Sequence, residues 1–263
     1  MKLTHRRKVA LIVGIAALAM AITFVFPPLA QDLHYHDFAD GREILGIPNF
    51  WNVVSNFPFV FVGLLGLHEM AGAPLKGALS ELRLSYLYVF LGLLLVGIGS
   101  SYYHAHPSNA TLLWDRMPLT IAFMGFVSAL VGEHVSIPVG RRLLWPLLAV
   151  GLASVIYWYA TETIGRGDLR LYFLVQFLPM GLIPLILLLF GSRLSKSGYI
   201  WAVLGAYTVA KILELEDRAV FDMLGGISGH SLKHLAAALG GYIIVAALRN
   251  RRPIEPALVA GRA

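Results

Sequence analysis

Residues 84–104, LSYLYVFLGLLLVGIGSSYYH, form a run of 21 residues without Lys, Arg, Asp or Glu. A membrane-spanning helix needs about 20 mainly apolar residues, so this run has the length and composition of one complete span. The run ends in serines, tyrosines and His104, although polar side chains at membrane depth are energetically costly. It therefore predicts a transmembrane helix that carries a polar group at one end.

The rest of the chain follows the same pattern. Of its 263 residues, 57% are hydrophobic and only 14% are charged, which is far more apolar than a soluble domain. Apolar runs of membrane length predict eight spans, at residues 8–28, 50–70, 84–104, 112–132, 142–161, 170–190, 199–214 and 230–248. We therefore expect an all-α, polytopic membrane helix bundle.

The basic residues indicate how the bundle is oriented. A formal net charge of +6 would also suit a nucleic-acid-binding protein, but Lys and Arg occur in short clusters at the ends of apolar runs, as membrane topology requires. The segments predicted to be cytoplasmic hold 14 of the 21 basic residues: Lys2, Arg6, Arg7, Lys8, Lys76, Arg83, Arg141, Arg142, Arg193, Lys196, Arg249, Arg251, Arg252 and Arg262. Both termini are therefore expected in the cytoplasm, and nothing indicates a nucleic-acid partner or an obligate protein partner.

The first apolar run has two interpretations. It follows basic residues and ends near the small residue Ala30, so it can be a cleaved signal peptide. Its apolar stretch is long for the core of a signal peptide, which favours an uncleaved anchor. The expected organisation is an N-terminal anchor helix or signal segment at residues 1–30, a catalytic bundle at 31–249 and a cytoplasmic tail at 250–263.

Three polar groups lie at span ends on the predicted non-cytoplasmic side. Ser100 and His104 are four residues apart and share one helical face. Asp115 opens the next span after a short hairpin. His230 and His234, again four apart, open the last span and can bind one metal ion together. The alternation of the spans brings all five residues to one level of the membrane.

This set of residue types suits a catalytic zinc site. The chain has no cysteine, so a transition-metal site has to use His and carboxylate ligands. Neutral imidazoles of His104, His230 and His234 would fill three positions of a tetrahedral zinc site and leave the fourth for water. Asp115 is then placed to act as general base and acid, and Ser100 to donate a hydrogen bond to a developing oxyanion.

Each of these residues also has a structural explanation when it is taken alone. His104 suits a membrane interface, Asp115 suits a helix N-terminus, and Ser100 permits close helix contact. An isolated HxxxH pair is weak evidence for a metal. A metal site is nevertheless favoured, because stretches more than a hundred residues apart converge on one face.

Three motifs resemble the alkaline ceramidase family, which belongs to a wider group of seven-helix membrane hydrolases that includes Per1-like proteins and the progestin and adiponectin receptors. The similar segments are FWNVVSNF at 50–57 to the family's FWNxxSN, residues 97–104 with Asp115 and Pro118 to its GxGSxxxH segment, and His230 with His234 to its final HxxxH. The resemblance covers roughly residues 37–248 and implies a seven-helix core, to which the first span is an addition.

The resemblance also implies an activity. Zinc would be bound by His104, His230 and His234, with Asp115 acting on the attacking water and Ser100 at the reacting carbonyl. Family members cleave ceramide to a sphingoid base and a fatty acid, so the expected substrate is ceramide or another N-acyl membrane lipid. The alternatives are a receptor-like or regulatory protein with a structural zinc site, and a small transporter. The candidate base and oxyanion donor favour the enzyme.

Calcium, which eukaryotic relatives bind, is doubtful in this chain. The corresponding segment offers Asp37, Asp40 and Asn49 as oxygen ligands, but Arg42 would oppose a cation, and a solvated acidic loop is the favoured explanation. Lys233 stands between the last two histidines, where the family usually has aromatic residues. The preference for a lipid head group is therefore open.

A charged stretch at the outer end of the seventh span includes Glu214 and Asp217. Either carboxylate can orient a zinc-bound histidine through a hydrogen bond. The alternative is an exposed turn of ion pairs, and the sequence does not decide between them.

Overall fold

The structure, a computed structural model, describes residues 3–72 and 77–254. This part of the chain contains ten α-helices, numbered here in chain order: α1 His5–Val25, α2 Phe50–Val54, α3 Phe57–Ala71, α4 Arg83–Ala105, α5 Asn109–His134, α6 Ile137–Thr163, α7 Arg170–Leu189, α8 Gly198–Leu215, α9 Asp217–Leu224 and α10 Gly229–Asn250. The predicted all-α bundle is confirmed. Lys2, Lys76, Arg262 and residues 255–263 of the predicted tail lie outside the described residues.

Eight helical segments of the described chain are long and apolar enough to cross a membrane. Each coincides with a predicted span, and their ends differ from the prediction by a few residues. The structure adds two irregularities that the apolar pattern does not show. The second span is divided, because α2 ends at Val54 and α3 begins at Phe57. A short amphipathic helix, α9, follows α8 in place of a simple charged turn.

The bundle is built around α4. This helix packs against α3 and against α5, α5 packs against α6, and α10 pairs with α8 and contacts α3. Apolar side chains of α3, α4, α5 and α10 form the largest core cluster; Phe90 of α4 and Val245 of α10 are fully buried in it. Because α4 and α10 share this core, the residues at their ends are brought close together in space.

The first helix lies at the edge of the bundle. None of the residues of α1 is buried, and its main helical neighbour is α7. Hydrogen bonds anchor the segment after α1 to the start of α7: the backbone N–H of Leu169 donates to the carbonyl of Leu29 at 2.8 Å, and Nη1 of Arg170 donates to the carbonyl of Phe26 at 2.7 Å. The segment after α1 is thus held at the α6–α7 connection, and near the start of the helix Lys8 contacts Leu189 and Phe190 at the end of α7.

Asp168 organises that connection. Its carboxylate accepts hydrogen bonds from Nε and Nη2 of Arg170, at 2.9 and 2.8 Å, and from the hydroxyl of Tyr157 at 2.9 Å. These hydrogen bonds, the Arg170 bond above all, lower the pKa of Asp168 from 3.8 to about 2. Asp168 therefore ionises more readily in the folded protein than in the unfolded chain, and its charge stabilises the fold at pH values above about 4.

Acidification should remove this stabilisation. A carboxyl whose folded pKa is depressed contributes stability above its unfolded pKa and loses it as the pH falls through the folded value, here between about pH 4 and about pH 2. We expect Asp168→Asn to lower the melting temperature at pH 6 and to flatten its decline over that window. Thermal unfolding in detergent across the pH range measures both effects. Asp222→Asn, at an exposed position on α9, is the control, and parallel curves for wild type and Asp168→Asn would contradict the assignment.

A buried ion pair lies at the C-terminal end of α5. Glu133 and Arg251 are each 1% exposed, and two hydrogen bonds of 2.6 and 3.2 Å join the guanidinium to the carboxylate. The hydroxyl of Tyr86 donates to the same carboxylate, and Nε of Arg251 donates to the carbonyl of Ser195 at 3.2 Å. This cluster ties α4, α5 and the residue after α10 together.

Removing one member of this pair should be strongly destabilising. In Arg251→Met the Glu133 carboxylate stays buried without its cation, so we expect the free energy of unfolding to fall by about 3–5 kcal/mol. Arg249→Met provides a matched control, because Arg249 pairs with Glu69 and is itself 43% exposed in its side chain; its cost should stay below about 1 kcal/mol. Denaturant unfolding of the purified protein gives both values. Equal losses of unfolding free energy in the two variants would show that the buried pair stabilises the protein no more than the exposed one.

Candidate metal and active site

Three histidines meet where α4 ends and α10 begins. His104 lies in the last turn of α4, and His230 and His234 lie in the first two turns of α10. All three are at most 5% exposed, and one ring nitrogen of each lies within 4.8 Å of the others. In the described part of the chain this is the one His, Asp and Glu cluster that could hold a metal ion.

The spacing of the imidazoles suits zinc. Nε2 of His104 lies 3.3 Å from Nε2 of His230. Two nitrogens on a tetrahedral zinc ion, each about 2.0–2.1 Å from it, are separated by roughly that distance. Nδ1 of His104 is buried without a hydrogen-bond partner. The donor set, three imidazoles and no thiolate, is therefore compatible with a three-histidine zinc site.

A hydroxyl from the divided second span orients His234. Oγ of Ser55 lies 2.8 Å from Nδ1 of His234 and donates to the carbonyl of Asn52 at 3.3 Å. The histidine Nδ1 then carries the proton, which leaves its Nε2 free to bind a metal. This role was missed in the sequence analysis, although the FWNVVSNF motif that contains Ser55 was recognised. The signal was the pair of polar residues, Ser55 and Asn56, inside an apolar run.

Asn52 holds the start of α10 in place. Its Oδ1 accepts a hydrogen bond of 2.7 Å from Oγ of Ser231 and a longer one from Oγ of Ser228, while its Nδ2 donates to the carbonyl of Asp40. Asn52, Ser228 and Ser231 are completely buried. Asn52 therefore links α2, α10 and the loop before α2 at the level of the histidines.

Asp217 reaches the histidine cluster through the backbone. Its Oδ1 accepts from the N–H of His230 at 2.7 Å, and its Oδ2 accepts from the N–H of Ala39 at 3.0 Å. Asp217 thus fixes where α10 begins and does not touch an imidazole nitrogen. The close approach also requires Gly229, because a Cβ there would lie 2.3 Å from the carbonyl of Leu213.

Glu214 acts through a lysine. Its carboxylate pairs with Lys211 and with Lys233, the second at 3.2 Å, and Nζ of Lys233 lies 2.9 Å from Nε2 of His230. Since this nitrogen also faces His104, a metal ion bound between the two rings would have to displace the Lys233 ammonium from it. Glu214 therefore positions the ammonium group of Lys233 beside His230 and does not orient an imidazole directly.

Ser100 and Asp115 line a cavity beside the cluster. The cavity has a volume of about 620 Å³, and His234 forms part of its wall. Ser100 on α4 and Asp115 on α5 thus face the same space from two neighbouring helices. Most of the remaining wall is apolar or aromatic and comes from α3, α4, α5, α7, α8 and α10. The cavity therefore has a polar end next to the histidines, called its polar head here, and a larger hydrophobic part between the helices.

Each of the three candidate calcium ligands has a partner within the protein. Asp40 accepts two hydrogen bonds, of 2.8 and 2.7 Å, from the Arg42 guanidinium, which holds its pKa below the ordinary value. Asp37 pairs with His34 at the surface, and Nδ2 of Asn49 donates to the carbonyl of His104 at 2.9 Å. Arg42 already supplies the positive charge beside Asp40, so these residues do not fit a calcium ion.

Comparison with known proteins identifies the family. The family model described as Ceramidase matches residues 46–180, just over half of the chain, whereas no curated protein matches. The matched segment contains Ser100, His104 and Asp115 and ends before the two histidines of α10, which the fold brings to the same place. The chain belongs to the Ceramidase family.

Proposed function

We propose that this membrane protein is a zinc-dependent amidase that hydrolyses the amide of ceramide, or of a related N-acyl lipid, to a free amine base and a fatty acid. The observation that carries the proposal is the three-histidine cluster beside a largely apolar cavity whose polar head contains Ser100 and Asp115. Membership of the Ceramidase family supports the same reaction. A purely structural metal site needs neither a carboxylate nor a hydroxyl facing an open cavity.

His104, His230 and His234 would hold the zinc ion. Zinc in a three-histidine site supplies Lewis acidity that makes water nucleophilic near neutral pH. Ser55 and Asn52 support this role, since the first sets the tautomer of His234 and the second holds the first turn of α10. Metal affinity therefore depends on the FWNVVSNF segment as well as on the ligands.

Asp115 and Ser100 carry the proton transfer and the charge stabilisation. Asp115 takes a proton from water as the water oxygen bonds to the amide carbon, and it returns that proton to nitrogen as the carbon–nitrogen bond breaks. Ser100 donates a hydrogen bond to the carbonyl oxygen as negative charge develops there. Both side chains line the cavity together with His234, which is the position that these two roles require.

The cavity is the proposed binding site for the acyl chain and the amide of the substrate. Apolar side chains such as Leu93, Phe123 and Met180 line it, so an acyl chain can stay in a hydrocarbon environment while the amide reaches the polar head. By the positive-inside rule both termini lie in the cytoplasm and the reaction takes place near the opposite face. The exposed helix α1 remains attached as an N-terminal anchor in this proposal, residues 31–249 form the catalytic bundle, and the tail is cytoplasmic.

The metal and the base are tested together. Protein purified without added chelator should contain about one zinc ion per chain and should release fatty acid from at least one lipid of a panel that includes ceramide. Asp115→Asn should keep the zinc and lower the rate by about 100-fold to 10,000-fold, because a positioned acid or base contributes that much. His234→Gln should lose the metal as well as the activity. Metal analysis and fatty-acid release measure the two outcomes.

Asp222→Asn on α9 is the control for the loss of a carboxylate. Folded protein without zinc would refute the metal site. Zinc without hydrolysis of any lipid would indicate a structural site, and full activity in Asp115→Asn would show that Asp115 is not the base.

Gly99 brings α4 and α5 together next to Ser100 and Asp115. A Cβ at position 99 would lie 2.0 Å from the backbone oxygen of Trp114, so Gly99→Ala has to separate the two helices. A displacement of about 1 Å can cost roughly 100-fold in rate, and we expect a loss of that order with zinc retained. Gly205→Ala on α8, where nothing lies within 4 Å of the added carbon, should behave as wild type. Similar rates for both variants would contradict the role of this contact.

A further inference from the structure

Arg116 is a buried cation in the wall of the cavity. It follows Asp115 on α5, lines the same chamber and is only 4% exposed. Its Cζ lies 4.2 Å from the ring centroid of Trp158, 4.6 Å from that of Tyr172 and 5.6 Å from that of Tyr35. Nη2 donates to Oε1 of Gln31 at 2.7 Å. The guanidinium is therefore held firmly in a box of aromatic rings.

One end of this guanidinium has no partner. Among the described residues, Nη1 of Arg116 makes no hydrogen bond, and Arg116 takes part in no ion pair. Glu162 lies behind the box, where its Oε1 accepts from the backbone N–H of Gln31 and from Nε1 of Trp158. Cation–π contacts offset part of the cost of burying the charge, but a buried donor without an acceptor is unfavourable. Nη1 therefore lacks an acceptor. Because this nitrogen is itself buried, a ligand group can accept from it only after a small movement of the side chains around it.

The polar head of the cavity has an excess of positive charge. Its basic side chains are Arg116, Lys211 and Lys233, and its acidic side chains are Asp115 and Glu214. Glu214 is shared by the two lysines, and Asp115 is the candidate base. No carboxylate of the head is thus left over for Arg116. A metal ion on the histidines would increase the excess of positive charge.

Arg116 is connected to the histidine cluster through three intervening side chains. Its guanidinium faces the ring of Tyr35, whose hydroxyl donates to Glu214 at 3.4 Å. Glu214 pairs with Lys233, and Lys233 contacts His230. A continuous series of contacts therefore runs from Arg116 to the metal ligands around the polar head. A substrate whose amide lies beside Asp115 would place its amine portion within this head.

We propose that the enzyme acts on N-acyl lipids whose amine portion carries an anionic group, a carboxylate or a phosphate, and that Nη1 of Arg116 binds this group. The proposal rests on the proposed amidase function and narrows its substrate class. The apolar chamber receives the acyl chain, and the anion lies at the polar head. Neutral ceramide lacks the group that Arg116 would bind.

Two pairs of lipids test this preference. N-palmitoylserine and N-palmitoylserinol differ only in a carboxylate against a hydroxymethyl group, and ceramide phosphate and ceramide differ only in a phosphate. A hydrogen bond between charged groups in a buried site corresponds to roughly ten- to 100-fold in kcat/KM. Wild type should therefore favour the anionic member of at least one pair by that factor, and the pair concerned identifies the anion. No preference in either pair would overturn the proposal without the need for any variant.

Variants assign the preference to Arg116. In Arg116→Met the ratio of the two rates should fall to about one, and Arg116→Lys should restore part of it, since a lysine keeps the charge but loses the fork geometry. Arg166→Met, at an exposed position, should keep the wild-type ratio. A uniform loss of rate on both members of a pair in Arg116→Met would indicate a structural role and refute the binding role.

Binding separates this inference from the amidase proposal. In Asp115→Asn protein, the anionic lipid of the preferred pair should raise the melting temperature more than its neutral partner, and Arg116→Met should abolish the difference. Selective stabilisation without hydrolysis of any lipid would refute the amidase and retain the anion site. Hydrolysis with equal stabilisation by both lipids would retain the amidase and refute the anion site. Equal protection by free palmitate and N-palmitoylserine would assign Arg116 to the fatty-acid product and overturn the proposal.

Discussion

Inside a bilayer a polar side chain has no water to bind, so its partner has to come from the protein or from a ligand. This constraint determines where the polar residues of the chain lie. At one end of α5 the carboxylate of Glu133 is enclosed by Arg251 and Tyr86. Near the other end are the histidine cluster, the hydroxyl and amide groups that orient it, and the charged head of the cavity. The helices between these two regions are held together by an apolar core.

The candidate site depends on two contacts that position α10. Asn52 binds Ser231, and Asp217 binds the backbone N–H of His230. Both contacts act on the first turn of the helix, which carries His230, and His234 follows one turn later. The third imidazole arrives on α4, whose end is braced by the hydrogen bond from Asn49 to the carbonyl of His104. Asn49, which the sequence offered as a possible calcium ligand, therefore braces the end of α4.

The two ends of the bundle differ in how completely their charges are compensated. Glu133 and Arg251 neutralise each other through two hydrogen bonds, which suits a purely structural role. In the cavity head, Lys211 and Lys233 share one carboxylate, and Arg116 relies on aromatic rings and one amide. A buried cation that is incompletely paired is costly to stability. Its presence beside a cavity is readily explained by a ligand that completes the pairing.

Much of the fold follows from the sequence because hydrophobic length is a local property of the chain. The eight spans, the all-α class and the grouping of Ser100, His104, Asp115, His230 and His234 at one level could all be inferred without coordinates. The break at Ser55 and Asn56 and the helix α9 were missed, because an apolar window averages over single polar residues and short amphipathic turns. The hydrogen bond from Ser55 to His234 could not be predicted from spacing, since 179 positions separate the two residues.

By itself, then, the sequence determined that the chain is a helical membrane protein and which side chains were candidates for a metal and for acid–base chemistry. The tertiary structure alone decided which of these side chains meet. It places three imidazoles within 4.8 Å, turns Asp40 to Arg42 and leaves one nitrogen of Arg116 without a partner. The physical reason is that distances between helices are set by the packing of side chains across the whole bundle, and a local pattern carries no information about the residue that faces it.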